Sequence, residues 1–187
     1  MTLARNASRN CFLVSEHFEG LKLVAYPDSG GVWTIAKGTI IYPSGLNKGE
    51  KVKERDTCTL AQAEEWYMLD LKEAENKVHR WVKPTVLKNL TQSQYDALVD
   101  FTYNAGYGKG LYDKVNKNPK DPTIWGTFLL YNKVASSKDG RDNDKDGLID
   151  EIGEMKDVFG LTRRRQSEAH LYFLGSLNFY TDLKMAA

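Results

Sequence analysis

Three side chains near the N-terminus, Glu19, Asp28 and Thr34, have residue types and spacing suited to hydrolytic chemistry. Asp28 follows Glu19 by nine positions, and Thr34 follows Asp28 by six. Cleavage of a glycosidic bond needs one protonated carboxyl group that donates to the leaving oxygen, and a second carboxyl group that stays ionised to activate water or attack carbon. A fixed hydroxyl can hold the attacking water. These residues therefore predict a sugar-cleaving enzyme.

The local sequence puts the two carboxyl groups in different surroundings. Helical periodicity over residues 6–18, ended by Gly20, places Glu19 at a helix C-terminus. There the negative end of the helix dipole and the apolar neighbours favour the protonated acid. Asp28 lies in a polar turn over residues 26–31, where a carboxylate stays solvated and charged. The two residues are therefore predicted to divide the acid role and the charged role between them.

Thr34 belongs to a short alternating run, residues 32–35, that predicts a strand. Its hydroxyl is predicted on the strand face opposite Trp33. The alternative is that Glu19 is a solvated helix-end residue, Asp28 a turn former and Thr34 an ordinary strand residue. A chain with 25 acidic residues contains such a carboxyl spacing by chance, so the spacing alone does not decide between the two interpretations.

Three separated segments of the chain follow a pattern known from one enzyme family. Residues 18–28, together with 31–35, resemble that family's active-site signature, and residues 90–106 resemble its central helix. Residues 160–169 resemble its C-terminal Gly-Leu-x-x-Arg-Arg-x-x-Glu element. These segments occur in the family's order and span most of residues 12–175. On them the chain resembles the phage-type lysozymes, glycoside hydrolase family 24.

The resemblance implies a role for each residue of the candidate site. It makes Glu19 the general acid, Asp28 the carboxylate that faces the anomeric carbon or its water, and Thr34 the hydroxyl that positions the water. The groove positions that would bind substrate are Trp33, Thr39 and Asn104. For Asn104 the alternative is a helix-end cap. The implied reaction cleaves the β-1,4 bond between N-acetylmuramic acid and N-acetylglucosamine with inversion, which requires carboxyl groups about 6.5 to 9.5 Å apart.

The chain departs from the family pattern at one place beside the site. Where the family usually has Thr-Ile-Gly-Tyr-Gly-His, residues 34–39 place Ala36 and Lys37 at the third and fourth positions and Thr39 at the sixth. Lys37 in place of an aromatic residue would change sugar stacking. Thr39 replaces a histidine by a hydroxyl that can serve as a hydrogen-bonding partner. Since both carboxyl residues are kept, the departure predicts altered groove chemistry with activity retained.

The length and the helical periodicity predict an α+β, mainly α fold in one domain, residues 1–187. The resemblance implies a lysozyme-like fold, with a small N-terminal β-hairpin lobe over about 12–58 and a larger helical lobe over about 59–175, separated by a cleft. Capping-box spacing at Thr59 and Thr91 marks two helix starts. The helices predicted after the hairpin span residues 59–81, 91–106, 109–118, 123–132 and 162–174.

An arginine run opens the last predicted helix. Arg164 or Arg165 is expected to form an ion pair with Glu168 on the same helix, which contributes only tenths of a kcal/mol if the pair is exposed. Arginines at a helix start more often make such pairs than contact phosphate. The run therefore does not predict nucleic-acid binding.

A second local signal lies in an acidic insertion predicted over about 136–157. Acidic side chains alternate before Gly147 as they do in calcium-binding loops. Position twelve of an EF-hand would need a bidentate Glu but is Gly153, so a shorter loop over residues 139–154 is expected. The candidate Ca²⁺ ligands are Asp142, Asp144, Asp146, Leu148, Asp150 and Glu151. The alternative is a solvated acidic loop, and the ion would be structural, since catalysis is predicted to need no cofactor.

Charge and hydropathy bound the expected partners and location. Outside residues 139–157 the chain carries 23 basic and 17 acidic residues, which suits an anionic bacterial wall. No apolar run long enough to span a membrane occurs, and no signal-peptide pattern is present, so synthesis in the host cytoplasm is expected. The resemblance implies peptidoglycan as substrate and a phage holin or membrane loss for release to the wall. The protein is expected to be a monomer.

Two rival functions remain open from the sequence. A lytic transglycosylase needs the acid but no water-activating pair, and it leaves anhydro-sugar ends. Asp28 and Thr34 weigh against it. A non-catalytic wall-binding or calcium-dependent structural protein on the same fold is the other, since residues 36–39 are altered. Its expected sign is tight binding to the wall without product release.

Overall fold

The computed structural model describes residues 5–28, 30–135 and 155–184. In these ranges the elements follow one another as α1 (Arg9–Phe18), β1 (Lys22–Pro27), β2 (Trp33–Ala36), α2 (Leu60–Trp81), α3 (Pro84–Leu87), α4 (Gln92–Ala105), α5 (Lys109–Lys117), α6 (Thr123–Leu129), β3 (Lys133–Ala135), β4 (Met155–Asp157) and α7 (Phe159–Leu174). The strands form two antiparallel pairs, β1–β2 and β3–β4. The predicted α+β, mainly α fold class is therefore confirmed.

Local capping sets the two long helices. Thr59 and Thr91 each accept a hydrogen bond from a backbone N–H three residues later, and the glutamine at that position bonds back to the cap. Both predicted capping boxes are confirmed. Helix α1 begins at Arg9 rather than at residue 6, because the Ser8 hydroxyl accepts from the N–H of Asn10 and caps the helix there. Helix α6 ends at Leu129, before the predicted 132, since β3 follows closely.

Helix α4 is the centre of the larger lobe. Its residues from Tyr95 to Thr102 are all buried, so the helix is covered on every side. It packs against α7, α2 and α1. The apolar side chains of this lobe form one core that includes Leu98, Phe101, Phe128 and Leu171. Helices α1 and α7, which bring Glu19 and the arginines to the candidate site, are therefore fixed to α4.

The hairpin lobe has a smaller core of its own. Ile35 and Ala36 from β2 pack there with Tyr42 and Val52. Helix α2 supplies Ala63 and Trp66 from its first two turns to this core, and the residues that follow them to the larger core: Tyr67, Leu71, Ala74 and Val78. Helix α2 thus belongs to both lobes, and an open cleft lies between them.

The ribbon β3–β4 was not predicted. It pairs Lys133 with Asp157 and Ala135 with Met155. The Val158 N–H also donates to the carbonyl of Asn132, at 2.9 Å. The predicted insertion over 136–157 thus ends in a paired strand.

Candidate active site

The cleft between the lobes has a volume of about 750 Å³ and contains the predicted catalytic residues. Glu19, Asp28 and Thr34 all line it, although they come from a helix end, a turn and a strand. Asn104, at the end of α4, lines it as well. The other lining residues that matter below are Tyr26, Gly38, Ile40, Ile41, Leu69, Asp70, Glu73, Lys77 and Tyr103.

Glu19 lies one residue past the end of α1. Its backbone leaves the helical conformation, with φ −90° and ψ 115°, while its N–H still donates to the carbonyl of Ser15 at 2.9 Å. The predicted position at a helix C-terminus is therefore confirmed. Its side chain is 14% exposed, and Oε1 accepts a hydrogen bond from Nη1 of Arg164 in α7. From the sequence, only the helix dipole and the apolar neighbours were expected to act on Glu19. The contact with Arg164 was not predicted.

Arg164 is held between several carboxyl groups. Its Nε and Nη2 donate to both oxygens of Asp100, at 3.1 and 2.9 Å, and Glu168 lies 3.5 Å away. Burial alone would lower the pKa of Arg164, but the carboxylates of Asp100 and Glu19 outweigh it and raise that pKa well above its usual value. The guanidinium that contacts Glu19 is therefore a permanent positive charge fixed from α4 and α7.

The predicted pairing of Arg164 or Arg165 with Glu168 is confirmed for both arginines, and the pair is buried. Arg165 Nη2 lies 2.9 Å from Glu168, and both side chains are fully buried. Burial raises the pKa of Glu168 and lowers that of Arg165. Arg165 Nη2 also donates to Oδ1 of Asn104 at 2.6 Å, so the arginine holds Asn104 at the cleft. The pair is part of the core, because α7 packs on α4 along its arginine face.

Asp28 is held by the turn that contains it. Its Oδ1 accepts from the N–H groups of Gly30 and Val32, each at 2.8 Å. The Asp28 N–H donates to the Val32 carbonyl at 2.9 Å. These bonds set the side-chain rotamer and use one carboxylate oxygen. Within the described residues, Oδ2 has no hydrogen-bond donor.

Thr34 and Trp33 have different surroundings, although they are adjacent. Thr34 is buried, lines the cleft, and donates its hydroxyl proton to the Val32 carbonyl at 3.0 Å. The Thr34 oxygen therefore keeps lone pairs with which it can accept a hydrogen bond from water. Trp33 packs against the hairpin-lobe core and is not among the described residues that line the cleft.

Thr39 acts on the cleft through Asp70 of α2. The Thr39 side chain is buried, and its hydroxyl donates to Oδ2 of Asp70 at 3.0 Å. Burial raises the pKa of Asp70 to about 6, although the Thr39 bond opposes that shift. Sequence reasoning missed Asp70. A signal was present, because Asp70 lies four residues after Trp66 and four before Ala74, both of which are buried on one helix face.

Two tyrosines also line the cleft and were missed. Tyr103 donates its hydroxyl proton to the Lys37 carbonyl, and burial together with Glu19 raises its pKa. Burial raises the pKa of Tyr26 as well, with contributions from Glu19 and Asp28. Both phenols therefore stay neutral and form polar walls next to the carboxyl groups.

The altered segment 36–39 folds against α1 and α4. Lys37 forms an ion pair with Glu16 at 2.9 Å and lies over the ring of Tyr67, so it does not occupy a sugar-stacking position. Gly38 has a φ of +101°, and a Cβ there would lie 3.1 Å from Oε2 of Glu19. The retained glycine therefore permits the close approach of this turn to the acid.

The predicted calcium ligands, Asp142, Asp144, Asp146, Leu148, Asp150 and Glu151, lie outside the described residues. Within residues 5–28, 30–135 and 155–184, no cluster of three or more His, Cys, Asp or Glu side chains is placed to hold a metal ion. The calcium site stays a prediction. The same ranges contain no helix long and apolar enough to cross a bilayer.

Comparison with known proteins identifies the family of this chain. The sequence profile of the phage lysozyme family matches residues 16–168. The endolysin of Acyrthosiphon pisum secondary endosymbiont phage 1 is 30% identical over 165 residues, which cover 88% of this chain and 96% of that protein. The range matched by the family profile includes Glu19, Asp28 and Thr34.

Solved structures show the same fold. The endolysin of Escherichia coli O157:H7 phage FAHEc1 superposes with a TM-score of 0.69 at 28% identity, over 93% of this chain and 97% of that one. The muramidase domain of SpmX from Asticaccaulis excentricus has a TM-score of 0.61 over 90% of this chain and 98% of that one; at 23% identity it supports the fold alone. From the profile match, the relative and the shared fold, this chain belongs to the phage lysozyme family.

Proposed function

We propose that this protein is a peptidoglycan hydrolase that cleaves the β-1,4 bond between N-acetylmuramic acid and N-acetylglucosamine. The observation that carries the proposal is the convergence of Glu19, Asp28 and Thr34 on one open cleft. The cleft volume of about 750 Å³ lies within the range of small-ligand sites, about 300–1,000 Å³. The family relationship supports this class of substrate.

In the proposed reaction, Glu19 donates its proton to the leaving glycosidic oxygen as the bond to the anomeric carbon breaks. A water held by Thr34 attacks the anomeric carbon from the opposite face and passes a proton to Asp28. The Arg164 guanidinium contacts Glu19 and stabilises the carboxylate that remains after proton donation. Each of these groups is held in place by bonds described above, so little reorganisation is needed.

Inversion is part of the proposal. An inverting enzyme keeps its carboxyl groups about 6.5–9.5 Å apart to leave room for water, whereas a retaining enzyme has them about 5 Å apart. Glu19 and Asp28 line the same cleft, and the resemblance of residues 18–28 and 31–35 to the family's active-site signature is what supports inversion. Proton NMR of the first product anomer, recorded before mutarotation, tests it.

The decisive experiment is mass spectrometry of purified peptidoglycan digested with the protein and with Glu19→Gln. New reducing muramic acid ends are expected from the wild type and are expected to be lost in Glu19→Gln. Glu54→Gln removes a comparable charge from an exposed position of the hairpin lobe and serves as the matched control. We expect it to cleave as the wild type does.

Other products would identify the rival functions. Anhydro-sugar ends would assign a lytic transglycosylase. Wall binding without any soluble fragment would assign a non-catalytic binding protein.

As part of the same proposal, the protein acts as a monomer and reaches the wall after release by a holin or by loss of the membrane.

A further inference from the structure

Asp70 is a third carboxyl group in the cleft, and the proposed reaction does not use it. It comes from α2, whereas Glu19 and Asp28 come from the other elements that line the cleft. Its Oδ2 accepts the hydroxyl proton of Thr39 at 3.0 Å. Within the part of the chain that the structure describes, Oδ1 has no hydrogen-bond donor. One oxygen of Asp70 is thus fixed and the other is free to accept from a bound molecule.

The part of the cleft surface around Asp70 combines apolar side chains with this one carboxylate. Apolar side chains lie beside it in the cleft, among them Leu69, Ile40 and Ile41, each more than 40% exposed. Such exposed apolar groups next to one polar acceptor are typical of a groove that binds a neutral ligand such as a sugar. An ionised carboxylate accepts stronger hydrogen bonds from O–H and N–H groups than a neutral acceptor does.

The charged and titratable groups that face Asp70 come from every element at this part of the cleft. Lys77 of α2 stabilises its charged form. Glu73 of the same helix lines the cleft, but it is exposed and paired with Arg80 at 2.8 Å. From α4 and the end of α1, Tyr103 and Glu19 face the same space. The hairpin contributes the neutral Thr39 hydroxyl, which donates to Asp70.

Resting on the proposed function, we propose that Asp70 binds the substrate. Its Oδ1 accepts a hydrogen bond from a hydroxyl or acetamido N–H group of the bound glycan, while Thr39 holds Oδ2. Asp70 is a binding residue and takes no part in proton transfer. It therefore contributes to glycan affinity more than to the rate of the chemical step.

The charge of Asp70 gives this binding a pH dependence. Burial raises its pKa to about 6, so the carboxylate is ionised at pH 7 and becomes protonated as the pH falls to 5. Protonation removes the charge that strengthens the hydrogen bond. A hydrogen bond to a charged group strengthens binding about 10-fold to 100-fold. Glycan binding should therefore weaken about tenfold between pH 7 and pH 5.

The test measures binding in a background that cannot cleave. In Glu19→Gln, calorimetry gives the Kd of a tetrasaccharide of alternating N-acetylglucosamine and N-acetylmuramic acid at pH 7 and pH 5. Adding Asp70→Asn is expected to raise Kd about tenfold at pH 7 and to abolish its pH dependence. Adding Glu64→Gln, an exposed position on α2 outside the cleft, is the control and should leave Kd unchanged.

A second variant keeps the inference falsifiable if Asp70→Asn does not fold. Thr39→Val removes the bond that favours the charged form of Asp70, so the pH at which affinity falls should move upward. Unchanged Kd values in both variants, with the wild type still releasing reducing ends, would overturn the role of Asp70 alone. Absence of glycan binding together with absence of reducing ends would overturn the proposed function and this inference with it.

Discussion

The buried ion pair between Asp100 and Arg164 should govern the stability of the site. Asp100→Asn keeps the shape of the side chain but removes one negative charge and replaces one acceptor oxygen by an NH₂ group. The Asp100 side chain is fully buried and that of Arg164 is 3% exposed, so water cannot replace the lost partner. Removing one member of a buried pair costs about 3–5 kcal/mol.

The lower end of that range applies here, because Arg164 keeps contacts with Glu19 and Glu168. We therefore expect a loss of about 3 kcal/mol in the free energy of unfolding, measured by urea denaturation at pH 7. For a chain of this size, that loss corresponds to a Tm lower by about 6–12 °C. Cleavage should also fall at temperatures where the variant is folded, since the cation beside Glu19 is less firmly held.

Asp113→Asn is the matched control for this prediction. Asp113 also pairs with a basic residue, Lys109 at 2.5 Å, but the two side chains are 58% and 76% exposed. An exposed pair of this type contributes about 0.3–0.5 kcal/mol. If the losses for Asp100→Asn and Asp113→Asn agreed within about 1 kcal/mol, the argument that burial makes the Asp100 pair strong would be refuted.

Four further expectations follow from local features. Gly38→Ala should destabilise the protein by about 1–3 kcal/mol and reduce cleavage in a turbidity assay, because the new Cβ meets Glu19 at 3.1 Å and φ is +101°. The thiol of Cys11 is buried, which raises its pKa, so iodoacetamide should label it only after unfolding, as read by mass spectrometry. The pKa of Asp70 is about 6 in the folded protein and about 4 in the unfolded chain, so the folded state holds this proton more tightly. As pH rises from about 4 to 6, the free energy of unfolding of the wild type should therefore fall by up to about 3 kcal/mol relative to Asp70→Asn. Urea titrations measure this difference. Calcium should raise the Tm and chelation should lower it if residues 139–154 bind the ion.

Each of these expectations has an outcome that contradicts it. Gly126→Ala, in a helix with open space around the added Cβ, should be neutral or stabilising; an equal loss for it and Gly38→Ala would remove the steric argument. Rapid labelling of Cys11 in the folded protein would show that its burial is transient. A wild type and an Asp70→Asn variant with parallel pH profiles would exclude a raised pKa at Asp70. A Tm indifferent to calcium would favour a solvated acidic loop.

The fold was largely predictable because its main signals are local. The capping boxes at Thr59 and Thr91 fix helix starts through neighbours only three residues away, and both are present. The position of Glu19 at a helix end follows from equally local signals. The interactions that hold Glu19 are different, because Arg164 lies 145 positions away in the sequence, and its own partner Asp100 lies 64 positions from it.

Such long-range contacts depend on which helix faces meet, and periodicity does not encode that directly. The arginine run was expected to form ion pairs with Glu168 on its own helix, because neighbours on one helix can be inferred from spacing alone. In the structure, Arg164 and Arg165 also face α4. There Arg164 donates to Asp100, and Arg165 donates to Asn104. Asp70 was missed for a related reason. Its role depends on the contact with Thr39 of the hairpin, which the pattern of α2 alone does not indicate.

The ribbon β3–β4 makes the acidic segment modular. Ala135 and Met155 are paired neighbours across the two strands, so the chain leaves and rejoins the helical lobe at adjacent points. Directly opposed residues in antiparallel strands have Cα atoms about 5 Å apart, a gap that a two-residue turn can bridge. A shorter, longer or different segment can therefore join Ala135 to Met155 while the two strands keep both attachment points in register.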